Sequence, residues 1–103
     1  MTIEIPDTVK IGGFDFKVVQ DEATNVELRA NSCWGDYSAP LKRIRLQTDT
    51  LPQECSHVFL HEVIHAINGV YLSYSLQEAE ITGLSNGLFQ VLDQLGVRFG
   101  RAE

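Results

Sequence analysis

Cysteine is scarce in this chain, with Cys33 and Cys55 the only two in 103 residues and no C-x-x-C pair. That excludes a disulfide scaffold, and both thiols are expected to be buried, because free cysteine behaves as a small hydrophobe. Bases are also few. Eight Lys and Arg against fourteen acids leave a formal charge of −6, which opposes the phosphate backbone and excludes nucleic acid as a partner. No run approaches the ~20 consecutive apolar residues of a membrane span. The stretch Met1 to Asp7 lacks the basic and apolar regions of a signal peptide. The expectation is a cytoplasmic protein without a membrane partner. Repeats, low-complexity segments and long Pro/Gly/Ser linkers are missing too, so residues 1–103 are expected to form one domain. With 44% apolar and 21% charged residues the composition is globular. A domain this small buries only somewhat above ~60% of its unfolded surface, so a bound metal would be a useful fastener.

The hydrophobic period changes near the middle of the chain. In the first half, Val9-Lys10-Ile11 and Phe14-Asp15-Phe16-Lys17-Val18 alternate on either side of Gly12-Gly13, a hairpin signal, and Ile44-Arg45-Leu46 alternates again. Residues 22–32 are polar and fit a strand, a short helix or a loop. The second half is helical. Thr50 and Gln53 read as a capping box with Pro52 in the first turn, and Asn68-Gly69 as the stop. Between them Cys55, Phe59, Val63, Ala66, Ile67 and Val70 form one apolar stripe. A second helix is expected over residues 75–95, with Ile81, Leu84, Leu88, Val91, Leu92 and Leu95 along one side and Gly96 at its end. The fold class that follows is α+β, a small antiparallel sheet packed on two C-terminal helices.

The strongest chemical signal is His61-Glu62-Val63-Ile64-His65, an HExxH sequence inside the first of those helices. Residues four apart stand about 6 Å from each other on one helix face. Two imidazoles at that spacing can converge on one zinc ion at the ~2 Å nitrogen distance. Glu62 neighbours that face, placed to take the proton of a water that attacks a carbonyl. Three residue types at this spacing form a working unit, a more specific reading than two histidines placed near a core.

A catalytic zinc usually takes three protein ligands and leaves one position open. His57 extends the series but lies about 12 Å along the helix axis from His65, which places it beside the site or on the surface. The HExxHxxGxxH arrangement is excluded, because Asn68 and Tyr71 stand where its glycine and last histidine would be. The third ligand is then a carboxylate, from Glu78, Glu80, Asp93 or Glu103. Glu78 and Glu80 follow His65 by 13 and 15 residues, and a helical hairpin would swing them back beside it. Ser75-Leu76-Gln77-Glu78 also reads as a capping box that would occupy Glu78. Glu80 lies nearer the apolar face, and the pattern alone leaves the pair open.

On these residues the chain resembles short, single-domain HExxH proteins of phages and prophages. It is similar to minimal gluzincin-type metallopeptidases and more distantly to the ImmA/IrrE peptidase group. The likeness spans Val9 to Gly13, Gly35, the Ile44 strand, the run Phe59 to Ile67, and Leu84 to Leu92. It implies zinc, with His61, His65 and Glu78 as ligands and Glu62 as general base. It also implies a polar residue four positions after the ligand, here Thr82, in support of His61. Matching an ImmA-like E-A-N-x-F-A run to residues 80–85 would favour Glu80 instead. The substrate class implied is a protein or peptide. Tyr37, Tyr71 and Tyr74 are the candidate donors to a developing oxyanion.

Other residues have plainer readings. Trp34 is expected as a packing aromatic. Gly83 and Gly87 are expected to admit close approach of the first helix. The run Lys42 to Arg45 reads as a solvated strand face with the potential to be an edge that pairs with extended peptide. The rival function is a non-catalytic module in which zinc staples the fold and the acidic surface binds a protein partner. Such a site would be closed by a fourth ligand, His57 or Cys55.

Overall fold

β1 (Thr2–Glu4) comes first, and alternation around Gly12-Gly13 then builds the antiparallel hairpin of β2 (Thr8–Ile11) and β3 (Phe14–Val19), with Val9 opposite Phe16. Phe16, Val18 and Ile11 turn inward and are buried. Gly12 sits at φ +61°, and a Cβ there would lie 2.1 Å from Val70 Cγ1, so only glycine fits where this turn meets the long helix. The structure, a computed structural model, describes residues 1–101.

The polar stretch that the sequence left open is a helix, α1 (Glu22–Ala30). Asp21 caps it by accepting from the Thr24 N–H at 2.7 Å. Leu28 anchors it apolarly, and the buried Asn25 ties it to Thr48 through its Oδ1, which accepts the Thr48 N–H at 2.9 Å. The chain then runs through β4 (Gly35–Ser38) and β5 (Arg43–Leu46), which pair antiparallel.

Because α1 and the reversed strand β4 both intervene, β5 enters parallel to β3. The strand order is β2-β3-β5-β4, so the sheet is mixed and not purely antiparallel. The run Lys42 to Arg45 falls largely in β5, inside the sheet, which corrects its reading as an edge; the edges are β2 and β4. Ile44 and Leu46 of β5 are buried.

The long helix α2 (Pro52–Tyr71) extends about 30 Å and lies against this sheet. Cys55, Phe59 and Ala66 are buried and Val63 and Val70 half-buried on the core side, as the stripe implied, whereas Ile67 is exposed. Its N-cap is Leu51, without a side-chain bond, so the Thr50–Gln53 box does not form. Nor does Asn68-Gly69 end it. The buried Asn68 is occupied elsewhere, its Oδ1 accepting the Leu76 N–H at 3.0 Å. Gly69 lies within the helix, and its lack of a side chain makes room for two tyrosines, since a Cβ there would lie 2.7 Å from the Tyr37 hydroxyl and 2.9 Å from that of Tyr74.

The second long helix is α3 (Glu78–Gln94), followed by β6 (Arg98–Gly100), which pairs parallel with β1. α3 starts later than expected, with Gln77 as N-cap. Its packing is almost wholly against α2, so only a narrow row is covered. Ile81 and Ser85 are buried, whereas Leu84, Leu88, Val91 and Leu95 are exposed and do not form the expected core face. A Cβ on Gly83 or Gly87 would meet nothing, which removes the close-approach reading of both. Cys55 is buried as expected and Cys33 half-buried. No helix among the described residues is long and apolar enough to cross a membrane.

Candidate metal centre

His61 and His65 stand one turn apart on the α2 face that meets the start of α3, and the carboxylate of Glu78 reaches back over both. Its Oε1 lies 3.1 Å from His61 Nε2 and its Oε2 lies 3.0 Å from His65 Nε2. The two imidazole Nε2 atoms are 3.2 Å apart. Donors at 2.0–2.1 Å from a tetrahedral ion are separated by about 3.3 Å, so this triangle has the size of a tetrahedron's face. Among the described residues, His61, His65 and Glu78 are the group able to hold a metal ion.

Proton bookkeeping supports the same reading. The Ser85 hydroxyl donates to the Thr82 carbonyl at 3.1 Å, so toward His61 Nδ1, 3.2 Å away, its oxygen accepts. The imidazole proton is thereby held on Nδ1, leaving the Nε2 lone pair facing Glu78 and His65. Burial, and secondarily the neighbouring His65, keeps His61 below the usual imidazole pKa, in the neutral form that ligates. Lone pairs converging with a carboxylate repel one another unless a cation sits among them.

The two candidate acids are separated by their capping duties. Glu80 Oε1 accepts the Gln77 N–H at 2.9 Å, so it is Glu80, at the third helical position, that completes the cap. The expected Ser75–Glu78 box is displaced by two residues, and Glu78 is free to reach the histidines. Asp93 bonds Arg98 at 2.6 Å; Glu103 lies outside the described residues. His57 and Cys55 are not in the cluster. The His57 ring packs on Phe89 with centroids 5.3 Å apart, and the Cys55 thiol is pushed up by burial. Thr82 is exposed and contributes only its carbonyl, so the support of His61 comes from Ser85 instead. Ser85 escaped the sequence reading, although it stands seven residues after Glu78, on the same face two turns along. A Ser85→Ala substitution is expected to weaken metal binding roughly ten- to a hundredfold, read by competition with a chromophoric chelator.

Glu62 borders the same cavity as the three donors, on its side toward β4. It is buried at 7% exposure, and burial, then the charges of Asp36 and Glu78, push it up to about 8. Asp36 is fixed by Arg45, whose Nε donates to it at 2.9 Å and whose guanidinium also pairs with Glu27. A Cβ on Gly35 would lie 3.4 Å from Glu62 Cγ and 2.7 Å from Val58 Cγ1, which is why β4 comes this close to α2.

Tyr37 stacks on His65, with centroids 6.3 Å apart and 11° between planes, and its hydroxyl lies 3.3 Å from that of Tyr74. Burial, then this bond, raises Tyr37 to about 12, so it remains an O–H donor at neutral pH. Tyr71 is exposed, near the Gly12 turn. Gly35, Asp36 and Tyr37 line a cavity of about 280 Å³ together with His61, Glu62, His65 and Glu78. Trp34 is 55% exposed, which corrects its reading as a packing aromatic. Compared with known protein families, with curated proteins and with solved structures, the chain gives no match.

Proposed function

We propose that the protein is a zinc-dependent hydrolase of peptide bonds, acting in the cytoplasm in the manner of the minimal gluzincins it resembles. The observation that carries this is the convergence of His61, His65 and Glu78 at tetrahedral spacing with the buried Glu62 next to it. Two imidazoles and a carboxylate are a donor set that suits zinc, and three protein donors leave a fourth position open, as a hydrolytic site requires. Zinc held there supplies a Lewis acid that polarises a carbonyl and lowers the pKa of water.

The chain's own residues do the rest. A cation among the three donors favours the ionised form of Glu62, which in the metal-free protein is protonated at neutral pH, so the base becomes available when the site is loaded. Glu62 takes the proton of the attacking water and delivers it to the leaving amine. Tyr37 offers its O–H to the carbonyl oxygen as charge develops on it. The peptide lies extended along β4, the edge of the sheet whose residues line the cavity with the metal ligands. Backbone pairing there brings a carbonyl to the centre without a deep pocket.

The test is hydrolysis of an unfolded protein, such as reduced and alkylated casein, by zinc-loaded protein freed of contaminating proteases. Cleavage that disappears in Glu62→Gln and returns with wild type supports the proposal. Cleavage undiminished in Glu62→Gln would sink the mechanism.

A further inference from the structure

A second and larger cavity, of about 590 Å³, opens beside the metal centre. Trp34 and Val58 form apolar walls, and the ionisable groups that line it are Cys33, Glu54, His57, His61, Glu62 and Glu78, with no lysine or arginine. Glu78 and Glu62 are committed to the metal and the water. The carboxylate left for a ligand is Glu54, in the first turn of α2 and seven residues before His61. Seven residues are close to two full turns, so Glu54 stands on the His61 side of the helix about 10 Å along its axis. Among the described residues it makes no ion pair.

Trp34 is held in place although its ring is exposed. Its carbonyl accepts the Gln47 N–H at 2.9 Å, and the Gln47 side chain donates to the Cys33 carbonyl at 2.5 Å. An indole face and a free carboxylate in a cavity that adjoins β4 match an aliphatic stem with a cationic head. We infer that this cavity takes a lysine or arginine side chain of the bound peptide, with Trp34 packing on its stem and Glu54 pairing with its head. The inference rests on the hydrolase reading only for where the peptide backbone lies.

Trp34 is the only tryptophan, so intrinsic fluorescence reports directly on the cavity, and the test needs no turnover. Zinc-loaded protein carrying Glu62→Gln, in which Glu78 stays on the metal and peptide is not cleaved, is titrated with acetylated, amidated pentapeptides Ala-Ala-Xaa-Ala-Ala, where Xaa is Arg, Lys, norleucine, Phe or Glu. The Arg and Lys peptides are expected to bind about tenfold tighter than norleucine, an uncharged chain of similar length, and to lose that advantage as salt rises. In Glu54→Gln the preference is expected to shrink to about twofold, with thermal scans confirming an intact fold. Norleucine or Phe binding as well as Arg, a preference unchanged in Glu54→Gln, or no fluorescence response at millimolar peptide would each overturn the proposal. Failure of the hydrolase reading looks different: the Arg preference persists while zinc-loaded protein cleaves nothing.

Discussion

Replacing Glu62 by Gln is expected to stabilise the metal-free protein at pH 8 by on the order of 4 kcal/mol while abolishing hydrolysis. The carboxyl is held at about 8 in the folded chain, against an ordinary value of 4.5. As pH rises from 4.5, the unfolded chain releases this proton first, so the folded state binds more protons and loses stability. The loss begins near pH 4.5, runs to about pH 8 and then levels off. Glutamine has the same shape and no proton to lose. His61, whose pKa is lowered, acts in the opposite direction below its ordinary value, but it is common to both proteins. The difference between wild type and Glu62→Gln therefore isolates Glu62. Thermal scans between pH 5 and pH 8 are expected to show the melting temperatures diverging by more than about 10 °C. Parallel curves would mean that Glu62 is not held protonated. Diverging curves mean that the site gives up stability for function, a loss that a bound cation offsets by favouring the carboxylate.

The second large effect separates the two acids at the start of α3. Glu78→Gln is expected to lower zinc affinity by at least about a hundredfold, because it removes the one charged donor of three. Glu80→Ala is expected to leave affinity within about threefold and to cost roughly 0.5–1 kcal/mol of stability, the worth of a helix cap. Chelator competition reads the first and urea unfolding of the metal-free protein reads the second. The reverse pattern would put Glu80 at the metal and Glu78 at the cap.

That division was only partly legible in the sequence. HExxH carries its own geometry, since residues four apart on a helix must share a face, and both histidines stand as that spacing requires. The choice of Glu78 turned on where α3 begins. Ser75 offered a cap signal, but the buried Asn68 binds the backbone of Leu76 and holds that segment outside the helix, moving the cap to Gln77 and the capping acid to Glu80. A tertiary bond displaced a local signal. Ser85 was invisible for a related reason: a serine within a helix is unremarkable until the neighbouring helix shows which side chain it meets.

Fold class followed from the change of period, and the detail did not. α1 has little apolar spacing to betray it, being anchored by Leu28 and by a buried asparagine. Without α1 the parallel pairing of β3 with β5, and hence the edge position of β4, could not be anticipated. The stripe on α3 shows the opposite failure. Its heptad-like leucines signal a core face, yet α3 packs on α2 alone and leaves most of them outside.

On the proposed function, three side chains from two helices bind one zinc ion. Elemental analysis of untagged protein, reconstituted with zinc and dialysed, tests it directly. Close to one zinc per chain, lost in His65→Ala with the fold retained, is the expected result. Protein that carries no zinc after reconstitution, or as much in His65→Ala as in wild type, would contradict the account.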